Sequence, residues 1–151
     1  MKEAIQDLYP EATAHCYGCG RMNEHGLQIK SYVEGDEYVC VFRPKPYHTA
    51  IEGFVYGGLV ASLIDCHSTG SAAAALAQDR GQELPVRTVT ASLHVDYLAP
   101  TPIDGELIVR SRAVEVKGRK AVIESSLFAG GKETARGKVV AVAVPDDFGL
   151  K

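Results

Sequence analysis

The chain has 151 residues and a formal net charge of -3 at pH 7; hydrophobic residues make up 46% of it and charged residues 23%. This length fits one domain, and the composition is typical of a folded globular protein. The acidic balance argues against a nucleic-acid partner, which would favour a basic surface. Because no apolar run is long enough to cross a bilayer and the first residues lack the apolar segment of a signal peptide, we expect no membrane partner and a cytoplasmic location.

The N-terminal part of the chain predicts an irregular lead-in followed by a hairpin. Residues 1–26 show no sustained periodicity, although a short amphipathic helix fits 2–8, ahead of Pro10. Extended patterns at 27–32 and 38–42 are separated by turn residues, which indicates two paired strands.

A long helix is predicted over 59–78, where the chain is rich in alanine and contains no proline. With a turn of about 100° per residue, one helix face collects the larger apolar side chains and is expected to pack on a sheet. The opposite face is expected to leave room for a ligand around one carboxylate. Its members are Ala61, Ser62, Asp65, Ser68, Thr69 and Ala72.

The rest of the chain predicts four strands, at 86–98, 106–116, 120–129 and 133–144. Residues 139–144 of the last strand are apolar on both faces, so this strand is expected inside the sheet. One helix cannot cover both faces of a six-stranded sheet, so we predict an α+β domain over 27–145 that wraps its sheet around the helix and pairs an edge with a second copy. Residues 146–151 are expected to form a tail.

The entry to the predicted helix carries a family likeness. The segment Gly53-Phe54-Val55-Tyr56-Gly57-Gly58, with Asp65 placed seven residues after the second glycine, resembles the helix entry of hotdog-fold thioesterases, most closely the phenylacetyl-CoA thioesterase-like branch. The lead-in Cys16-Tyr17-Gly18-Cys19-Gly20 is similar to that of several hotdog proteins. The resemblance implies a six-stranded antiparallel sheet around one long central helix, and a homodimer; whether two dimers pair into a tetramer stays open.

The resemblance also implies roles for individual residues. Asp65 would activate a water molecule or attack the thioester directly, and the Gly58 N–H would stabilise the oxyanion, since the first N–H groups of a helix lack partners. The Thr90 hydroxyl would orient the water, and we expect it to come from the opposite subunit.

Two positions depart from the family pattern. The histidine before the glycine pair is replaced by Tyr56, and the polar residue six positions earlier is replaced by Ala50. His48 lies nearby in the sequence and is a candidate to replace the missing polar group. Tyr56, Gly57 and His48 are therefore the candidate substrate-binding residues.

Several other polar residues have competing interpretations. Strict alternation would place Ser92, His94 and Asp96 on the same face as Thr90, which makes them secondary candidates and Asp96 a rival carboxylate. His67, on the apolar helix face, is expected to be a hydrogen-bonded core histidine, and Cys66 is expected to be a packing residue.

The cysteines raise the question of a metal. Cys16 and Cys19 form a Cys-x-x-Cys half-site, and His15 and His25 would be the nearest further zinc ligands. Because a second cysteine pair is missing and the resemblance implies a lead-in without metal, we expect no metal. Thioester hydrolysis, which the resemblance also implies, needs no organic cofactor.

Two functions remain after these considerations. The leading prediction is hydrolysis of an acyl-CoA thioester, and the alternative, favoured by Tyr56 and Ala50, is a non-catalytic acyl-CoA or acyl-ligand binding protein. Cations that could hold the CoA phosphates are present, with no single one assigned. They are Arg87, Arg110, Arg112, Lys117, Arg119, Lys120, Arg136 and Lys138.

Overall fold

The alanine-rich segment forms one long helix, α1 (Gly57–Asp79), in the computed structural model, which describes residues 2–150. The Tyr56 carbonyl accepts hydrogen bonds from the N–H groups of the first turn, so the helix begins two residues before the predicted start. Beyond its last residue, Asp79, the helix is closed by Gly81, whose φ of 67° permits the bonds Gly81 N–H to Gln78 O (3.1 Å) and Gln82 N–H to Ala77 O (2.9 Å).

Six strands form one antiparallel sheet in the order β1-β2-β4-β5-β6-β3. Their bounds are β1 Ser31–Glu34, β2 Glu37–Phe42, β3 Thr88–Tyr97, β4 Leu107–Lys117, β5 Lys120–Ala129 and β6 Lys132–Ala143. The predicted hotdog arrangement of a sheet around one helix is confirmed. β6 is an interior strand, as its two apolar faces predicted, whereas β3 is an edge strand with one neighbour.

The sheet curls around α1 and covers more of the helix than one face. Leu59, Leu63 and Ile64 are buried, as expected for the apolar side. The prediction that Ser68 and Ala72 lie on an open face is wrong, because both are also fully buried and Ser68 Oγ lies 2.6 Å from Ser125 Oγ on β5. The open part of the helix is therefore narrower than predicted.

A bulge at Ala91 divides β3 into two halves with opposite phases. Thr90 pairs with Ala141 and Ser92 with Val140, so Ala91 has no partner of its own on β6. Ala141 is buried, which places Thr90 on the inner face toward α1, whereas Ser92 lies on the outer face. Because a bulge shifts the side-chain alternation by one residue, strict alternation misassigns everything beyond it.

The N-terminal lead-in packs across the helix in two short 3-10 turns, Ile5–Leu8 and Glu11–Thr13, in place of the amphipathic helix considered over 2–8. Gln6 is fully buried there. The outermost residues of the predicted lead-in and tail, Met1 and Lys151, lie outside the described residues. Within residues 2–150, no helix combines the length and hydropathy needed to cross a membrane.

Candidate active site

Asp65 lies in the middle of α1 and meets a hydroxyl from the edge strand. Thr90 donates a hydrogen bond to Asp65 Oδ1 at 2.7 Å, and Thr69 Oγ1 lies 2.9 Å from Thr90 Oγ1 while donating to the Asp65 carbonyl at 2.8 Å. Asp65 and Thr90 thus meet within one chain, so the expectation that Thr90 comes from the opposite subunit is wrong. Thr69 was not among the site residues predicted from sequence, although its position four residues after Asp65 places it next to Asp65 on the helix surface.

A cavity of about 550 Å³ opens beside this carboxylate. Its size is typical of small-molecule sites. Asp65, Thr69 and Thr90 lie on its wall, and the lead-in and the loop before β3 contribute apolar side chains, among them Leu8 and Leu84. The lead-in therefore supplies a wall of the candidate site.

The two glycines at the start of α1 form a second polar surface. Among residues 2–150, the N–H groups of Gly57 and Gly58 have no hydrogen-bond acceptor, as expected for the first positions of a helix. Tyr97 of β3 donates to the Gly57 carbonyl at 2.7 Å and so ties the edge strand to the helix start. This end of the helix has two free donors and the positive end of the helix dipole, which suit a developing anion.

The aromatic ring of Tyr56 packs against Gly58. A Cβ built on Gly58 would lie 2.4 Å from the Tyr56 ring, so this packing requires a glycine. Tyr56 is itself 57% exposed. Its ring therefore lies at the surface beside the two free N–H groups, where it can contact a ligand.

His48 holds the loop that leads into the helix. Its carbonyl accepts the Tyr56 N–H at 2.9 Å, and its Nδ1 accepts the Lys45 N–H at 3.0 Å, which leaves Nε2 as the protonated nitrogen of the neutral ring. Partial burial and the nearby Lys45 lower the pKa of His48. Ala50 is exposed in the same loop and offers no polar side chain.

The two surfaces are separated along one helix. Asp65 follows Gly58 by seven residues, which corresponds to a rise of about 10 Å. The Gly58 N–H points toward the N-terminus of α1, away from Asp65. The sequence-predicted groups Asp65 and Thr90 therefore meet in one chain, and Gly57, Gly58, Tyr56 and His48 form a separate group.

The secondary candidates on β3 lie elsewhere. Ser92, His94 and Asp96 follow the bulge and occupy the outer face, where His94 Nε2 lies 3.1 Å from Asp96 Oδ1. The prediction that they share a face with Thr90 is wrong, and Asp96 does not reach the Asp65 cavity. Of the eight candidate cations, only Arg87 lines that cavity.

His67 is a core residue, as predicted. It is fully buried, with Nδ1 2.9 Å from Ser31 Oγ and Nε2 2.8 Å from Ser111 Oγ. Burial lowers the pKa of His67 to about 3. The ring is therefore neutral and serves the fold.

Cys66 is more than a packing residue. Its thiol meets those of Cys16 and Cys19, and the three Sγ atoms lie within 4.8 Å of one another. Hydrogen bonds from the Cys19 and Cys66 thiols hold the pKa of Cys16 well below its usual range, and the same bonds raise the pKa of the two donors. His15 and His25, the further ligands considered from sequence, do not join this cluster.

Comparison with known proteins identifies the family. The model of the thioesterase superfamily matches residues 52–136, more than half of the chain. A thioesterase superfamily protein from Shewanella loihica is 48% identical, with a TM-score of 0.71 over 91% of this chain and 100% of that one. A thioesterase from Haemophilus influenzae, 14% identical, shares the fold with a TM-score of 0.68 over 83% of this chain and 82% of that one.

Two vertebrate relatives share part of their length with this chain. The acyl-coenzyme A thioesterase THEM4 of Xenopus laevis is 37% identical over 54% of this chain and 33% of its own length. The rat protein of the same name is 27% identical over 72% of this chain and 43% of its own length. The chain thus spans less than half of these relatives. From the family match and the shared fold, the chain belongs to the thioesterase superfamily.

Proposed function

We propose that the chain hydrolyses an acyl-CoA thioester to a free acid and CoA. The observation that carries this proposal is a carboxylate with a bound hydroxyl, Asp65 and Thr90, on the wall of a cavity of about 550 Å³. Family membership supports thioester chemistry, and the names of the THEM4 relatives support CoA as the thiol component.

Asp65 supplies the base or the nucleophile. Thr90 donates to Oδ1, whereas Oδ2 has no hydrogen-bond partner among residues 2–150 and remains available. As a general base, Asp65 takes the proton of a water whose oxygen bonds to the thioester carbon; as a nucleophile, it forms that bond itself and water then releases the acid. In both routes the carbon–sulfur bond breaks and the CoA sulfur leaves with the electron pair, then takes a proton.

The oxyanion donor comes from a second copy of the chain. An oxygen bound to the Gly58 N–H lies beyond the start of α1, so its carbonyl carbon is out of reach of the Asp65 two turns along the same helix. A site that uses both groups needs Asp65 of one chain and Gly58 of another. β3 has an open edge and exposed Leu93 and Tyr97, which suits pairing with a second copy. We therefore propose a homodimer.

The other predicted substrate-binding residues contact or position the substrate. Tyr56 and Gly57 flank the oxyanion donor, and His48 holds the loop that positions them. The apolar wall formed by the lead-in receives the acyl group, and Arg87 at the cavity offers a cation to the CoA phosphates.

The test is complementation between two inactive variants. Asp65→Asn removes the base. Gly58→Pro removes the N–H at a first-turn position that accepts proline, and its added Cβ displaces the exposed Tyr56 ring outward. Each variant alone should fail to release thiol from a panel of aliphatic and aromatic acyl-CoAs. After the two chains are unfolded and refolded together, random pairing should restore about a quarter of the wild-type activity, because half of the dimers then carry one intact site. Absence of any restored activity from folded mixed dimers would contradict the shared site.

The binding-protein alternative is favoured by one contact. The Tyr56 ring packs on Gly58, next to the proposed donor, and could narrow the access of a carbonyl to it. If this alternative holds, wild-type protein binds acyl-CoA in calorimetry but releases no thiol. Turnover by wild type that Asp65→Asn removes excludes it.

A further inference from the structure

We propose that Cys16, Cys19 and Cys66 bind a thiophilic divalent cation such as Zn²⁺, with the fourth coordination position open to the Asp65 cavity. The three cysteines line that cavity together with Asp65. This inference stands on the thiols alone and does not depend on thioester hydrolysis.

The sulfur positions fit a metal. All three Sγ atoms lie within 4.8 Å of one another, and Cys16 Sγ lies 3.9 Å from Cys66 Sγ. Tetrahedral Zn²⁺ with bonds of about 2.3 Å places its sulfur ligands about 3.8 Å apart. A small contraction of the cluster is therefore enough to bind the ion.

The lead-in loop is built to hold a thiolate. Gly18 N–H donates to Cys16 Sγ at 3.3 Å, and Gly20 N–H closes the turn on the Cys16 carbonyl at 2.8 Å. A Cβ on Gly18 would lie 2.3 Å from Cys66 Sγ, so the loop reaches the helix only because this residue is glycine. Backbone N–H groups directed at sulfur stabilise its charged form, which is the form that binds metals.

The convergence of three sulfurs distinguishes this site from a disulfide pair. A disulfide uses two sulfurs, whereas here a third lies within 4.8 Å of both, and the fourth cysteine, Cys40, is buried in the core outside this cluster. Among residues 2–150, no histidine or carboxylate completes the cluster as a fourth ligand. Water or an external thiol would therefore occupy the fourth position, which is the arrangement of an open zinc site.

Cobalt spectroscopy tests this site without reference to activity. Reduced wild-type protein, titrated with Co²⁺ in the absence of oxygen, should develop thiolate-to-cobalt charge-transfer bands and tetrahedral visible bands that saturate at one equivalent. Zn²⁺ added afterwards should bleach them, since thiolates favour Zn²⁺. Bound Zn²⁺ should also raise the Tm, because it binds the folded chain, where the three thiols meet, more tightly than the unfolded chain.

Matched cysteine variants locate the ligands. Cys16→Ser, at an exposed position with little risk to folding, and Cys66→Ser should each weaken metal binding by about tenfold or more. Cys40→Ala removes the cysteine outside the cluster and should leave the bands unchanged. The proposal is overturned if wild-type protein with its thiols shown to be reduced develops no bands, or if both serine variants retain wild-type affinity.

Discussion

Asp65 and His67 lie two residues apart on α1, and their surroundings differ completely. Asp65 is half-buried and keeps one carboxylate oxygen free beside a cavity. His67 is fully buried, and both of its ring nitrogens are bonded to serines of the sheet. A polar side chain whose every hydrogen-bonding atom is satisfied by the protein specifies the fold, whereas one with an atom free toward a cavity is available for chemistry.

The hydrogen bonds around His67 define its protonation. Gln6 Nε2 donates to Ser31 Oγ, so the Ser31 hydroxyl donates to His67 Nδ1. Nε2 then carries the proton and donates to Ser111 Oγ, whose own hydroxyl donates to Ser71; Ser71 in turn donates to the His67 carbonyl. Every donor has one acceptor, and the chain of bonds joins the lead-in, the helix and the sheet.

Removing the His67 ring should produce the largest effect on stability. His67→Ala removes one hydrogen-bond partner from each of the Ser31 and Ser111 hydroxyls and opens a cavity, which together should lower the free energy of unfolding by about 4 kcal/mol. Urea denaturation measures this free energy. His94→Ala at the exposed position is the matched control, and its free energy of unfolding should lie within about 0.5 kcal/mol of the wild-type value. Equal stability of the two variants would contradict a structural role for the network.

Asp65→Asn should produce the opposite result, with loss of activity and little change in stability. Thiol release should fall by about a hundred-fold or more, which corresponds to about 2.7 kcal/mol of lost transition-state stabilisation. The midpoint of urea unfolding should stay near that of wild type, since no core contact is removed. A variant that keeps full turnover would exclude Asp65 as base and as nucleophile.

Acid should lower the free energy of unfolding, because His67 is buried in its neutral form. Burial lowers the folded-state pKa of His67 to about 3, whereas the unfolded chain binds this proton near pH 6.5. Stability from the neutral ring is therefore complete above about pH 6.5 and is lost as the pH falls toward 3. Between about pH 7.5 and pH 5.5, this group should account for a loss of about 1.4 kcal/mol.

The acid effect is isolated by comparison with His67→Gln, which removes the titrating ring. Urea unfolding of both proteins at the two pH values gives the difference directly. If wild type and His67→Gln lose the same stability on acidification, the buried ring does not titrate as described.

The smallest expected effect is that of Thr90→Val. The hydroxyl that holds Asp65 is removed and the side-chain shape is kept, so thiol release should fall by about fivefold, or about 1 kcal/mol for one hydrogen bond. Ser92→Ala is the matched control, because Ser92 lies beyond the bulge on the outer face and should keep wild-type turnover. A loss for Ser92→Ala as large as that for Thr90→Val would contradict the assignment of faces.

Local patterns determined the secondary structure and the family. The alanine-rich, proline-free run predicted α1 to within two residues, and β5 was predicted over its observed range. The spacing between the glycine pair and Asp65 can be read directly along the sequence, and its resemblance to hotdog-fold thioesterases predicted the fold class. These features were accessible because helix and strand periodicities are set within a few residues.

Tertiary structure decided which side chains meet. The bulge at Ala91 directs Thr90 toward Asp65 and Asp96 away from it. A prediction based on strict alternation cannot locate an extra residue inserted into a strand. The thiols of Cys16 and Cys66 approach across 50 residues because the lead-in packs on the helix. Ser68 became buried because the sheet curls around α1 instead of covering one face. Contacts of this kind depend on how elements pack in three dimensions, so only the folded chain reveals them.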